Sequence, residues 1–371
     1  MKINRTFIIA EAGVNHNGSL NMAKKLIDAA VDAGADAVKF QTFKTEDMAS
    51  YRSPTAEYQK IARSVGTSQH QLLKKLELDQ YAHEALIEYC RLREIQFLST
   101  AFDLGSLDML TKVFKLPRIK VPSGEITNGP LLLHAARTSK PILLSTGMST
   151  IREIENALGV IAFGYLKRKE RPSAKAFRIA FSSQEGQAAL RRKVTLLHCT
   201  SEYPAPANEI NLRAMETMRT KFNLPVGFSD HSKGIYAAVA AVALGAIIIE
   251  KHFTLDKNLP GPDHRASLEP RELKEMILAI REVEISLGIF KKIPMPSELK
   301  NREIVRKSLV AGRPIKKNEH FSMENLRCKR PGYGLSPMSY WDIIGKSAKK
   351  NYKKDEPIMV IPTGTNEDDI R

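Results

Sequence analysis

The chain has 371 residues, 57 Lys and Arg against 41 Asp and Glu, a formal net charge of +16 and three cysteines. That length can bury a barrel-sized core with a small companion domain, whereas Cys90, Cys199 and Cys328 are too few and too dispersed for a disulfide framework or zinc ribbon. The basic excess gathers in residues 167–193, nine basic against two acidic, and in residues 297–371, sixteen against ten; without an aromatic-interleaved basic stripe it argues against nucleic acid and for solubility and steering of anionic substrates.

In chain order, the first apolar run is residues 7–13. It reaches Glu11 too soon for a signal peptide or a spanning helix, and no membrane segment follows, so the expected location is cytoplasmic. Seven more runs come after it: 37–43 with Lys39 and Gln41, 96–102 with Thr100, 118–124 with Lys120 and Ser123, and 141–147 with Ser145. Residues 194–200 lead into Ser201 and Tyr203, 225–231 end in Ser229 and His231, and 246–253 contain Glu250, Lys251 and His252. Amphipathic segments such as 20–33, 81–94 and 151–162 separate them. Near-continuous apolar strands alternating with helices read as βα units covered on both faces. Eight units predict an α/β fold, a (β/α)8 TIM barrel, with its active site at the C-terminal strand ends, where these polar residues fall.

The last barrel helix is expected over 269–288, opened by Pro270 and closed by Gly288. This sets a catalytic barrel domain at 1–290, a linker at 291–303 and a small, mostly β domain at 304–371. Strand-like pieces at 307–311, 320–321 and 356–361 alternate there with turns, and residues 314–319 and 352–357 echo one another. Residues 164–192 read as a basic surface insertion on the face of the barrel away from the site. The long loop 45–69 overhangs the site, with Tyr58 and Gln59 as candidate sugar contacts or lid residues.

Lys39 and Lys120 lie inside strands that read as buried, and such charges need a partner or a ligand. With Thr100, Ser123 and Ser145 they suit a cradle for phosphate and carboxylate oxygens; the alternative is pairing with Glu11, Glu125 or Glu250. His231 and His252 end neighbouring strands and suit a divalent metal, or else they bind substrate or cap loops. His198 reads as a satisfied core histidine. A Schiff-base aldolase could use the same lysines without metal, and a scaffold reading has no use for buried lysines at strand ends.

The strings IIAEAGVNHNG, DAVKFQTFK, FLSTAFD, KVPSGEITN, ILLSTGMST, TLLHCTSEYPAP, VGFSDHS, IEKHFTLDKNLPGPDH and KRPGYGLSPM resemble the bacterial sialic acid synthase family in order and over essentially the whole chain. The C-terminal part is similar to that family's antifreeze-like (SAF) domain. The resemblance implies a transferase condensing phosphoenolpyruvate with the open-chain aldehyde of a 2-acetamido sugar, with C–O cleavage and phosphate release. N-acetylmannosamine giving N-acetylneuraminate is the favoured pair, and 2,4-diacetamido-2,4,6-trideoxymannose giving a legionaminate is the alternative. Residue by residue it implies Lys39, Thr100, Lys120, Ser123, Ser145, Ser201 and Ser229 at phosphoenolpyruvate, Ser201 standing where some members of the family carry Asn. It places His231 and His252 at a divalent ion, Mn2+ first, with Mg2+ or Co2+ as alternatives. Glu11 joins these histidines in catalysis. Gln41, Glu125, Tyr203 and Asp263 face the amino sugar, and a domain-swapped homodimer brings in the partner subunit's Arg330.

Overall fold

A computed structural model describes residues 5–48, 69–167 and 169–359. The loop contacts expected of Tyr58 and Gln59 therefore lie outside the described residues. The chain divides into two compact units, Met1–Gly288 and Ile289–Arg371.

In the first unit, eight parallel strands close into a barrel in sequence order: β1 (Phe7–Gly13), β2 (Ala37–Thr42), β3 (Gln96–Ala101), β4 (Ile119–Val121), β5 (Ile142–Ser145), β6 (Val194–His198), β7 (Val226–Asp230) and β8 (Ile248–His252). Each falls within one of the eight apolar runs. The helices begin and end on local chemistry. Ser19 caps Leu20–Ala33, which stops at Gly34 in a left-handed conformation (φ 85°), and Thr150 with Glu153 forms a capping box on Ile151–Tyr165.

Period-two alternation along the strands sorts the barrel interior into layers. At the bottom, Ile9, Ala37, Leu98, Leu143, Leu197 and Ile248 form a closed apolar plug. Two residues further along each strand the inward side chains become Glu11, Lys39, Thr100, Ser145 and Glu250, all buried. The register places Glu11 beside both Lys39 and His252, Thr100 beside Lys120, and Ser229 beside Glu250. The intervening residues, such as Ile8, Ala10, Val38 and Phe40, join the large core between barrel and helices. Burying each larger aliphatic side chain there is worth roughly 1.5–3 kcal/mol.

The basic insertion is more ordered than a surface excursion. Helices Ala174–Ser182 and Gln184–Lys193 fill most of it. Phe177 meets Phe163 edge-on with ring centroids 5.3 Å apart, and Ala180 and Leu190 are buried. The apolar face of these helices packs on Ile151–Tyr165 and leaves Lys175, Arg178, Arg191 and Arg192 to solvent.

The second unit starts with a helix, Pro296–Val305, in part of the chain expected to be linker; Pro at its first turn and Glu298 reaching back to the Met295 N–H open it. Strand β9 (Ser308–Ala311) pairs antiparallel with β10 (Leu326–Lys329), which the sequence reading did not anticipate. The echoed phrases turn out to be partners. Ile315 and Tyr352 exchange two backbone hydrogen bonds, of 3.0 and 2.8 Å. Lys316 N–H donates to Glu319 and Lys353 N–H to Glu356, and Asn318 and Asp355 both sit at positive φ, 72° and 68°. Two copies of one turn therefore close a small core that includes Leu309, Phe321 and Tyr352.

Gly227 of β7 sits in close packing within the barrel, since a Cβ there would stand 2.7 Å from both the Ile248 carbonyl oxygen and the Leu197 side chain. Gly227→Ala is expected to destabilise the barrel by about 1–3 kcal/mol through overpacking, measured as a lowered denaturation midpoint.

Candidate active site

The charged layer opens into a cleft of about 370 Å³ at the C-terminal ends of the strands. At its floor lie two lysines and two glutamates, each at most 5% exposed. Lys39 Nζ stands 2.6 Å from Glu11 Oε2 and 3.6 Å from Glu250 Oε2, and donates to Thr100 Oγ1 at 2.8 Å. Lys120 Nζ lies 3.2 Å from Glu250 Oε1, which also accepts from Ser229 Oγ at 2.8 Å. The alternative of lysines paired with barrel carboxylates is thus realised, and it coexists with an open cleft above the pairs.

The two carboxylates are not equivalent. Burial works against the charge on both, but Glu250 lies between two ammonium groups, and Lys120 and Lys39 hold its pKa well below the ordinary range. Glu11 has Lys39 close by and faces the Glu250 charge, so burial prevails and raises its pKa to about 7. Burial also disfavours the Lys39 ammonium, yet Glu11 and Glu250 outweigh it and raise its pKa; for Lys120 burial dominates and the pKa falls. Glu250 is thus the fixed anion and Glu11 the group able to exchange a proton near neutrality.

One wall is rich in hydroxyls. Ser123 Oγ accepts the Gly147 N–H at 3.0 Å and lies 3.1 Å from Cys199 Sγ. A Cβ on Gly147 would run into Ser201 and Ser123, so glycine keeps this hollow open. Ser145 Oγ is buried without a hydrogen-bond partner among the described residues. These hydroxyls, with Lys39 and Lys120, present donors to an oxyanion.

The histidines line the same cleft. His231 and His252 have ring centroids 5.6 Å apart, and the Tyr203 ring packs against both. His231 Nδ1 donates to the Thr200 carbonyl at 2.6 Å, which leaves Nε2 as the acceptor atom, 3.2 Å from Tyr203 OH. Burial depresses the pKa of His231 to about 4 and that of His252 strongly, so both are neutral. His252 Nδ1 is buried without a hydrogen-bond partner, 3.7 Å from Asp263 Oδ2. Among the described residues, no group of three or more His, Cys, Asp or Glu is arranged as a metal cage. Two neutral imidazoles, His252 with its unpartnered Nδ1 and His231 with an Nε2 that among the described residues meets only the hydroxyls of Tyr203 and Ser229, still fit a divalent ion whose remaining ligands are water or substrate.

Gln41 lines the cleft and donates to Glu11 Oε1 at 3.4 Å, and Asp263 closes the rim with burial raising its pKa to about 6. Glu125 accepts from Asn128 at 2.6 Å and is not among the lining residues; Arg330 lies exposed on the second unit, after β10. His198 donates to or accepts from no cleft group: its Nε2 meets the Ile210 carbonyl, and its ring stacks on Phe228, as expected of a core histidine. Sequence reasoning did not identify an apolar wall made by Met48, Leu72, Leu73, Leu76 and Phe102. Its signal was the i, i+4 pair Leu72 and Leu76 directly after the long loop.

The NeuB family profile matches residues 26–292 and the SAF domain profile residues 306–359. The N,N'-diacetyllegionaminic acid synthase of Campylobacter jejuni is 51% identical over 354 residues, covering 95% of this chain and 99% of that protein. The protein of the same name from Legionella pneumophila is 43% identical over 345 residues, covering 93% and 91%. Among solved structures, an N-acetylneuraminic acid (sialic acid) synthetase from Leptospira borgpetersenii in complex with citrate superposes with a TM-score of 0.63 at 34% identity, covering 81% of this chain and 90% of that one.

Lys120→Met removes one cation while leaving Glu250 beside Lys39. It is expected to weaken inorganic phosphate binding by about tenfold or more, the worth of a charge-assisted hydrogen bond, in calorimetric titration.

Proposed function

Because the chain belongs to the NeuB family, we infer that it condenses phosphoenolpyruvate with the open-chain aldehyde of 2,4-diacetamido-2,4,6-trideoxymannose, forming N,N'-diacetyllegionaminate and phosphate. The observation that carries this reading is one cleft lined both by two lysines with a set of hydroxyls and by a cluster of apolar side chains. The cationic residues suit phosphate and carboxylate. The apolar wall of Met48, Leu72, Leu73, Leu76 and Phe102 suits the C6 methyl and second acetamido methyl, which N-acetylmannosamine lacks. The two diacetyllegionaminic acid synthases, at 51% and 43% identity, support the substrate over N-acetylmannosamine, which was favoured from sequence alone and has its support at the lower identity of 34%.

In this mechanism Lys39, Lys120, Thr100, Ser123, Ser145, Ser201 and Ser229 hold phosphoenolpyruvate. Gln41, Tyr203 and Asp263 orient the sugar, whereas Glu125, held by Asn128 outside the cleft lining, is left out of that set, and the partner subunit's Arg330 reaches the acetamido group in a homodimer. His231 and His252 would hold a divalent ion, which when bound polarises the aldehyde carbonyl. The methylene carbon of phosphoenolpyruvate attacks the aldehyde carbon and the carbonyl π pair moves onto its oxygen; that oxygen is protonated by the proton Glu11 takes from the added water, the second water proton leaves with phosphate, and the new C–C bond transiently leaves positive charge at the phosphate-bearing carbon. Glu11 accepts a proton from the water that adds there, and its pKa of about 7 matches that task. Lys39 and Lys120 stabilise the departing phosphate as the C–O bond breaks.

Phosphate release with Mn2+ is measured with each sugar, with and without chelator. Chelator-sensitive turnover greater with the diacetamido sugar is expected. Preference for N-acetylmannosamine would return the chain to sialic acid synthesis, and no release with either would remove the reaction. In pH profiles, kcat/KM falls below about pH 7 as Glu11 takes up a proton. Glu11→Gln is expected to lower kcat by about 10²–10⁴-fold and abolish that acid limb; an unchanged limb would exclude Glu11.

A further inference from the structure

Asp230 and Lys251 form the most deeply buried ion pair among the described residues, with both side chains 0% exposed and Lys251 Nζ 2.8 Å from Asp230 Oδ2. Neither group faces the cleft. By strand alternation they point into the layer between barrel and helices, on the opposite side of β7 and β8 from Ser229, His231, Glu250 and His252. Isolated ion pairs at such depth seldom add stability over apolar residues of similar size, so their position in the chain is informative.

Each is the immediate neighbour of a cleft histidine. The register of β7 on β8 runs Phe228 with Ile249, Ser229 with Glu250 and Asp230 with Lys251, and stops there. His231 and His252 are one step beyond the last registered pair of these strands. Lys251 Nζ also donates to the Ser232 carbonyl at 2.5 Å, and Asp230 Oδ1 accepts the Ser232 N–H at 2.8 Å. The residues on both sides of His231 are therefore tied to the residue before His252. Ala205 N–H, bonded to the His231 carbonyl at 2.9 Å, and Leu268 N–H, bonded to the His252 carbonyl at 2.9 Å, complete the fixation of each backbone.

We propose that the Asp230–Lys251 pair is a positioning device that sets the separation of the His231 and His252 imidazoles and so the affinity of the site for a divalent cation. This rests on the reading of those histidines as metal ligands. The pair acts through backbone geometry and touches neither substrate nor ion, as outer groups around metal ligands commonly do.

The test uses the full chain carrying Asp230→Leu with Lys251→Met, which removes both charges together and avoids an unpaired buried ion. Free Mn2+ is followed by electron paramagnetic resonance during titration, alongside thermal melting and the KM for phosphoenolpyruvate at saturating Mn2+. The expected result is Mn2+ affinity lowered by about tenfold or more with phosphoenolpyruvate KM unchanged, while melting temperature falls modestly because the Ser232 N–H and carbonyl lose their side-chain partners. Equal Mn2+ affinity in variant and wild type overturns the proposal. So does a loss of Mn2+ affinity accompanied by weaker phosphoenolpyruvate binding, which would make the pair merely structural. Wild-type protein that takes up no Mn2+ removes the two-histidine reading itself, and the proposal with it.

Discussion

Four buried charges, Lys39 and Lys120 against Glu11 and Glu250, govern the rest of the barrel. Taking them out of water is costly, and their mutual attraction repays that cost only if the geometry holds closely. The apolar plug beneath them keeps water from entering from below. Thr100 and Ser229 complete their hydrogen bonding, and the strand register sets their spacing. A chain selected for stability alone would have little reason to keep such a layer. Its value lies in presenting two cations and one protonatable carboxylate at the base of a cleft, already oriented before any ligand arrives.

The barrel was legible because parallel strands covered on both faces are written as continuous apolar runs, and a lysine or glutamate inside such a run is conspicuous. Lys39, Lys120, His231 and His252 stood out for that reason. Glu250 is at the centre of the array yet was read only as a counter-ion, although its place between Ile248 and His252 puts it on their face by simple alternation. Other elements were hidden by composition. The helices Ala174–Ser182 and Gln184–Lys193 lie in a basic stretch and bury little, only Ala180 on the first and Gly186, Ala189 and Leu190 on the second, so the charges mask their apolar faces. Helix Pro296–Val305 has no buried residue, so no apolar stripe marks it. Strand β10 buries only Leu326 of its four residues, which leaves almost no pattern to detect.

The cleft divides its labour between two sets of residues. The hydroxyls and lysines present hydrogen-bond donors and positive charge and are built from strand ends, whose positions are tightly set. The apolar residues come from Met48 at the end of helix Thr45–Met48, from Leu72, Leu73 and Leu76 of helix Gln69–Leu76, and from Phe102, all outside the barrel strands. Such a division lets related enzymes keep one chemistry while altering the sugar, since replacing a leucine on a helix does not alter the spacing of Lys39 and Glu11.

By formal count the two lysines and two glutamates of the buried array cancel, so the chain's formal excess of +16 resides elsewhere, largely on exposed side chains. Dissolved salt screens charges separated by more than about 10 Å at 0.1 M, and it acts far less on pairs sealed from solvent. Ionic strength should therefore slow the arrival of anionic molecules at the protein while leaving the internal balance of the cleft untouched: encounter and chemistry answer to different electrostatics.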